Sequence, residues 1–308
     1  MQEIYQKTLT KIISFTGIGL HSGKSAKVKL FPADENHGIV FKRTDLDKNN
    51  LIKANFANVT SARLCTTLEN NHGAKVSTVE HLLAALYIIG IDNALIEIDN
   101  EEVPIMDGSS KDFIDILEKI DLVNQSKKRK YLKISDKIEL IDNDRKISIE
   151  PNNTSLEVDF QLNYENKIIG KQKNKIDFQK DNLDEVCSSR TFCLFEDIEK
   201  IKKSGLAKGG SLNNAVVVDK DKVLNEGGLR NKKEFVNHKI LDLAGDFLLS
   251  GYGIIGKVSC YQGGHELTNL FLRKIFNTKE SFKLIEPNSF EVTKKFQTKE
   301  LDKIAVNA

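Results

Sequence analysis

Asn237-His238-Lys239-Ile240-Leu241-Asp242-Leu243-Ala244-Gly245-Asp246 reads as part of one amphipathic helix, and the rest of the chain is interpreted from it. On a helix of 3.6 residues per turn, positions four apart drift by only about 40°, so His238, Asp242 and Asp246 share one stripe. Phe235, Ile240, Leu243, Ala244, Phe247 and Leu248 supply an apolar face, which predicts a packed helix from about Lys232 to Leu249. That face packs while the polar stripe offers an imidazole and a carboxylate to a single metal ion. A surface helix can carry the same residues for solubility alone, so the rest of the chain has to decide.

The 308 residues suffice for two domains or one large one, and 40% of them are hydrophobic, enough for a sizeable core. Lys and Arg total 46 against 44 Asp and Glu, a near balance that argues against wrapping nucleic acid. Cys65, Cys187, Cys193 and Cys260 show neither a C-x2-C pair nor a disulfide-like spacing, as expected of reduced thiols in a cytoplasmic protein. The N-terminal residues lack the basic and apolar regions of a signal peptide, so export is not expected. The longest apolar run, Leu82 to Ile91, is about half of what a transmembrane helix needs.

Alternation predicts strands over 3–14 and 25–32, joined by the small-residue turn Thr16-Gly17-Ile18-Gly19-Leu20-His21-Ser22-Gly23. Its glycines match neither a P-loop nor a dinucleotide fingerprint. A helix is expected from Ser77 to about Ile89, stopped by Gly90, then a buried strand over 94–99 and a second helix from Gly108-Ser109 to about Ile120. Asn124-Gln125-Ser126-Lys127-Lys128-Arg129-Lys130 has no apolar residue and reads as an exposed connector. This divides the chain into an N-terminal domain, 1–124, a linker, 125–130, and a C-terminal domain, 131–308. In the second domain we expect strands over 131–141, 145–150, 155–162 and 254–261, a helix near 181–186 and another after His265. Between Arg190 and Val218 lies an unusual strand, helix and strand with a flexible Gly205 to Gly210 segment. The tail beyond Asn277 is polar and receives no assignment.

Two further clusters carry candidate chemistry. Val76-Ser77-Thr78-Val79-Glu80-His81-Leu82 contains a Ser followed three residues later by Glu, the pattern of a capping box. Glu80 could be only that cap, and His81 only a hydrogen-bonded core histidine. Taken with His238 and Asp242, however, His81 completes two histidines and a carboxylate, a ligand set of catalytic zinc that leaves a position for water. Glu80, next to a ligand, could then serve as the base. In Tyr261-Gln262-Gly263-Gly264-His265-Glu266, the glycines place a histidine at the start of a helix. His265 could protonate a leaving amine, with Asp246 orienting it and Lys239 and Thr191 stabilising an oxyanion.

With these motifs in view the chain resembles the UDP-3-O-acyl-N-acetylglucosamine deacetylases, zinc amidohydrolases of lipid A biosynthesis. The resemblance rests on T-G-I-G-L-H-S-G at 16–23, S-T-V-E-H-L-L-A-A-L at 77–86, V-P-I-M-D-G-S at 103–109, S-R-T-F at 189–192, L-N-E-G-G-L-R at 224–230, H-K-I-L-D-L-A-G-D at 238–246 and G-G-H at 263–265. It implies an α+β fold of two similar domains, each a sheet layered with helices, with the helices packed between the two sheets and a βαβ insert in the second. It also implies one Zn2+ per chain, with Fe2+ as an alternative, on His81, His238 and Asp242. Glu80 falls on the general base, His265 on the general acid, Asp246 on its partner, and Thr191 and Lys239 on oxyanion and substrate contacts. The insert, 190–218, would form a passage for an acyl chain, lined by Phe192, Ile198, Ala207, Gly210, Ser211 and Val217, with Leu20 and Leu64 from the first domain. The expected substrate is UDP-3-O-(3-hydroxyacyl)-N-acetylglucosamine, acted on by a cytoplasmic monomer. The rivals are a zinc amidase for another acylated substrate and a non-catalytic UDP-sugar or acyl-binding protein. The sequence departs from the family pattern at Asn100, Asn213, Asn237 and Thr268, and at Gln262, where a basic residue near the nucleotide phosphates is usual.

Overall fold

The structure, a computed structural model, describes residues 4–287. Six α-helices are present among them: α1 (Glu80–Ile89), α2 (Lys111–Leu117), α3 (Asp184–Cys187), α4 (Phe195–Lys203), α5 (Glu234–Leu248) and α6 (His265–Asn277). The helix expected over about Lys232 to Leu249 is α5, and apart from half-buried Lys239 and Leu248 it is buried all round. A helix buried on every side belongs between layers. α1, equally buried over Glu80 to Leu86, is its principal neighbour.

On one side of this helical layer lies a five-stranded sheet in the order Ile13–Ile18, Ser25–Pro32, Ala94–Ile98, Ile39–Arg43, Leu51–Lys53. On the other lies a seven-stranded sheet centred on Gly253–Tyr261, which pairs antiparallel with Arg145–Glu150 and in parallel with Tyr131–Ile134 and Leu156–Asn163. These are the two layered α+β halves expected, with the helices between the sheets. The insert is also a βαβ unit: Phe192–Leu194 pairs in parallel with Val216–Asp219 across α4. No helix among the described residues is long and apolar enough to cross a membrane.

The two helices meet with almost no intervening space. A Cβ on Gly245 would lie 2.0 Å from the carbonyl oxygen of Glu80, so only glycine lets α5 approach the first turn of α1. Gly245→Ala is expected to lower the free energy of unfolding by about 1–3 kcal/mol, the cost of overpacking a tight contact. Urea denaturation measures this; an unchanged midpoint contradicts the close approach.

Several boundaries move. The expected linker is largely a strand: Leu122–Lys128 pairs antiparallel with Tyr5–Leu9, leaving Arg129 and Lys130 as the connection to Tyr131. Apolar content misleads there because side-chain hydrogen bonds anchor the strand: Gln125 Oε1 accepts from Asn93 Nδ2 at 2.7 Å and its Nε2 donates to the Ala33 carbonyl at 2.9 Å. The strand expected over 3–14 is broken between Leu9 and Ile13 into members of different sheets. Lys171–Asp177 is a strand without an apolar signature, held against Leu156–Asn163 with ion pairs such as Lys173–Asp159 at 2.9 Å. Part of the polar tail, Phe282–Ile285, adds an edge strand beside Tyr131–Ile134. The rest of the tail, 288–308, lies outside the described residues.

Candidate active site

The capping box does not form. Ser77 Oγ donates to the Glu101 carbonyl at 3.1 Å, and Glu80 Oε2 instead accepts the Thr66 N–H at 3.0 Å. Thr78, with φ of 56°, turns the chain sharply into α1. Glu80 and His81 thereby begin α1 alongside α5, where both are buried.

His81, His238 and Asp242 converge, their potential ligand atoms all within 4.8 Å of one another. The two Nε2 atoms lie 3.5 Å (His81) and 3.4 Å (His238) from Asp242 Oδ1, and the rings stand nearly perpendicular at 85°. Asp242 Oδ1 is buried without a hydrogen-bond partner among the described residues, while Oδ2 accepts from Lys239 Nζ at 2.9 Å. His238 Nδ1 lies 3.0 Å from the Ser189 carbonyl, so as the donating tautomer it leaves its Nε2 lone pair facing Asp242. Burial pushes the His238 imidazole down to about 3, against the partial opposition of Asp242. Burial also opposes ionisation of Asp242, but His238, Lys239 and His265 outweigh it and hold this carboxyl well below its usual range. A neutral imidazole, an ionised carboxylate and an orphaned buried oxygen are what a divalent cation requires, so the residues present fit a metal such as zinc.

His265 opens α6 opposite this group. Its Nδ1 lies 2.9 Å from Asp246 Oδ2, and Asp246 Oδ1 accepts from Thr66 Oγ1 at 2.6 Å. Its Nε2 is 3.8 Å from both Glu80 Oε1 and Asp242 Oδ2. Burial alone lowers the pKa of this imidazole, but Asp246, Asp242 and Glu80 together push it up to about 9. Burial also raises Glu80, with His265 and His81 opposing. The site therefore sets the Glu80 carboxyl, raised by burial, 3.8 Å from a His265 imidazole whose carboxylate neighbours favour its protonated form.

The other expected residues divide. Lys239 Nζ, besides bonding Asp242, lies 5.6 Å from the Phe192 ring centroid, and that ring is 6.2 Å from His238. Thr191 follows Arg190, whose buried guanidinium is paired with Glu234 at 2.8 Å; its own N–H donates to the Gly108 carbonyl at 2.7 Å. Leu20, Ala207 and Gly210 come together where the insert meets the turn after Ile13–Ile18, through Gly209 N–H to the Leu20 carbonyl at 3.0 Å and Lys208 N–H to the His21 carbonyl at 3.2 Å. Ser211 stands at the same junction and accepts the Asn214 N–H at 3.2 Å on its carbonyl, Val217 is buried in Val216–Asp219, and Ile198 is half-buried on α4. Leu64 is exposed on the turn before Thr67–Glu69.

Two neighbours were missed. Thr66 joins Glu80 to Asp246 through its N–H and hydroxyl, and no local pattern announces a residue that bridges two elements. His21, read only as part of a turn, is buried close enough to His265 for their charges to interact, and its Nε2 has no partner among the described residues. Gln262 is committed elsewhere: its side chain accepts the Asn163 N–H at 2.9 Å and donates to the Asn163 carbonyl at 2.6 Å.

Compared with known proteins, residues 6–277 match the family of UDP-3-O-acyl N-acetylglycosamine deacetylases. The chain belongs to this family. Curated members named UDP-3-O-acyl-N-acetylglucosamine deacetylase align over nearly their full lengths. The protein from Pasteurella multocida (strain Pm70) is 41% identical over 285 residues, covering 92% of this chain and 93% of its own. That from Shewanella violacea is 40% identical over 291 residues, covering 94% of each. That from Pseudoalteromonas translucida is 39% identical over 282 residues, covering 91% of this chain and 93% of its own. In this member of the deacetylase family the site is drawn from three helices: Glu80 and His81 from α1, His238, Asp242 and Asp246 from α5, and His265 from α6.

Proposed function

We propose that the chain is a metal-dependent amidohydrolase that removes the N-acetyl group of UDP-3-O-(3-hydroxyacyl)-N-acetylglucosamine, an early step of lipid A biosynthesis, as a cytoplasmic monomer. The observation that carries this reading is the unpartnered Asp242 Oδ1 between two imidazole nitrogens, with Glu80 and His265 poised beside it. A zinc ion held by His81, His238 and Asp242 would supply Lewis-acid polarisation of the amide carbonyl and would lower the pKa of water toward neutrality; iron(II) would suit the same donors. Glu80 takes the proton from the attacking water at Oε1. Thr191 and Lys239 stabilise the charge that develops on the former carbonyl oxygen. His265 gives its Nε2 proton to the sugar nitrogen as the C–N bond breaks, and acetate and the free 2-amine depart.

Asp246 holds the other face of His265, keeping it cationic and correctly turned. The acyl chain lies along Leu20, Leu64, Phe192, Ile198, Ala207, Gly210, Ser211 and Val217. Each methylene buried there is worth about 0.8 kcal/mol, so a long 3-O-acyl chain should raise kcat/KM at least about a hundredfold over unacylated UDP-N-acetylglucosamine. Comparing free-amine formation from the two substrates tests this; equal rates would favour an amidase for another substrate.

The pH profile follows from His265. As an acid it must be protonated, so activity persists below its folded pKa and falls as pH rises through it. The carboxylates around it push that value up to about 9. A bound cation weakens the pull of Asp242 and Glu80 but leaves that of Asp246, so the alkaline limb of kcat/KM should lie at or below about 9 and move lower in Asp246→Asn. An alkaline limb identical in wild type and variant would remove His265 from the acid role.

A further inference from the structure

Glu102 is 2% exposed and lies on no helix or strand, yet its carboxylate is fully engaged. Oε1 accepts the His21 N–H at 2.8 Å and the Thr78 hydroxyl at 2.8 Å, and Oε2 accepts the Ser22 N–H at 2.6 Å. The backbone around it is tied to the same place: Ser77 N–H donates to the Glu101 carbonyl at 2.9 Å and Val103 N–H to the Ser77 carbonyl at 3.0 Å. One carboxylate thus binds two segments with different tasks. The turn containing Leu20, His21 and Ser22 receives hydrogen bonds from Lys208 and Gly209 of the insert. Thr78 stands two residues before Glu80, in the left-handed region, where a threonine persists only if its surroundings hold it.

Burying a charge is costly unless its hydrogen bonds are complete, and a residue serving only to fill space would not need one. The sequence also makes room for it: a Cβ on Gly19 would lie 2.3 Å from Glu102 Oε2, so glycine at 19 admits the carboxylate. We infer that Glu102 is a positioning residue that fixes the distance between the acyl-binding turn and the hydrolytic centre, and so sets which acyl chains place their amide in register. This rests on the function proposed above.

The test is steady-state formation of free 2-amine from substrates with a long and a short 3-O-acyl chain, by metal-loaded wild type, Glu102→Gln and Thr78→Val. Glutamine puts an N–H donor where one acceptor stood, facing a donor, while Thr78→Val cuts only the link to the catalytic side. In Glu102→Gln the long-to-short ratio of kcat/KM should fall about tenfold, the effect of losing a charge-assisted bond, through KM for the long substrate. Metal content and kcat for the short substrate should stay near wild type. Thr78→Val should shift the ratio the same way by a smaller factor, and it remains informative if Glu102→Gln does not fold. An unchanged ratio, or an equal loss on both substrates, overturns the inference. No amine from either substrate with wild type refutes the parent reading instead, and the inference with it.

Discussion

Replacing Glu80 by glutamine should lower kcat/KM for deacetylation roughly 10²–10⁴-fold, the usual worth of a general base, while the protein keeps its metal. Glutamine keeps the shape and can still accept the Thr66 N–H through its amide oxygen, so the local structure should survive. It cannot accept a proton from water at the position now held by Oε1, 3.8 Å from His265 Nε2. The neighbouring His81 is untouched. Metal analysis beside kinetics separates the two roles: Glu80→Gln with wild-type activity would exclude Glu80 as the base, and Glu80→Gln without metal would make it a ligand or a ligand support.

His238→Ala should act in the opposite order, losing the metal first and activity as a consequence. The variant removes one of three donors and deletes the bond from Nδ1 to the Ser189 carbonyl, which orients the ring. Metal content should fall from about one per chain to near zero after dialysis, with activity lost to the same extent. The thermal midpoint of wild type should rise when metal is added, because a ligand that binds only the folded state stabilises it in proportion to its affinity. The midpoint of His238→Ala should not respond. Full retention of one tightly bound ion by His238→Ala would place the metal elsewhere.

The elements that position the site were legible because they are long and strongly patterned. α5 and α1 announce themselves by apolar faces interrupted by His and acidic residues at helical spacing, and the βαβ insert by its separated apolar runs. The candidate metal-ligand set could be assembled because histidines are few, 6 in 308 residues, and His81 and His238 both fall in long motifs at the start or middle of a helix. What could not be read is held together by polar bonds between distant segments. Leu122–Lys128 looks like a linker because polar bonds, backbone pairing with Tyr5–Leu9 and the Gln125 side chain to Asn93 and Ala33, hold it in place of an apolar face, and Lys171–Asp177 hides because ion pairs do the same. The capping-box alternative at Ser77 could not be settled from local spacing, because the partner of the Glu80 carboxylate, Thr66, comes from outside the helix. Glu102 and His21 carry no local signal for the same reason, since their partners come from segments that fold against them.

Whether the buried His81, His238 and Asp242 group makes this chain a metal-dependent deacetylase is decided by acetate release from UDP-3-O-(3-hydroxyacyl)-N-acetylglucosamine with purified protein, first as prepared, then stripped by a chelator, then reloaded with zinc. Release that stops on stripping and returns on reloading is the predicted result. Release that continues undiminished in protein shown to be free of metal, or none from folded protein shown to hold one ion per chain, would contradict it.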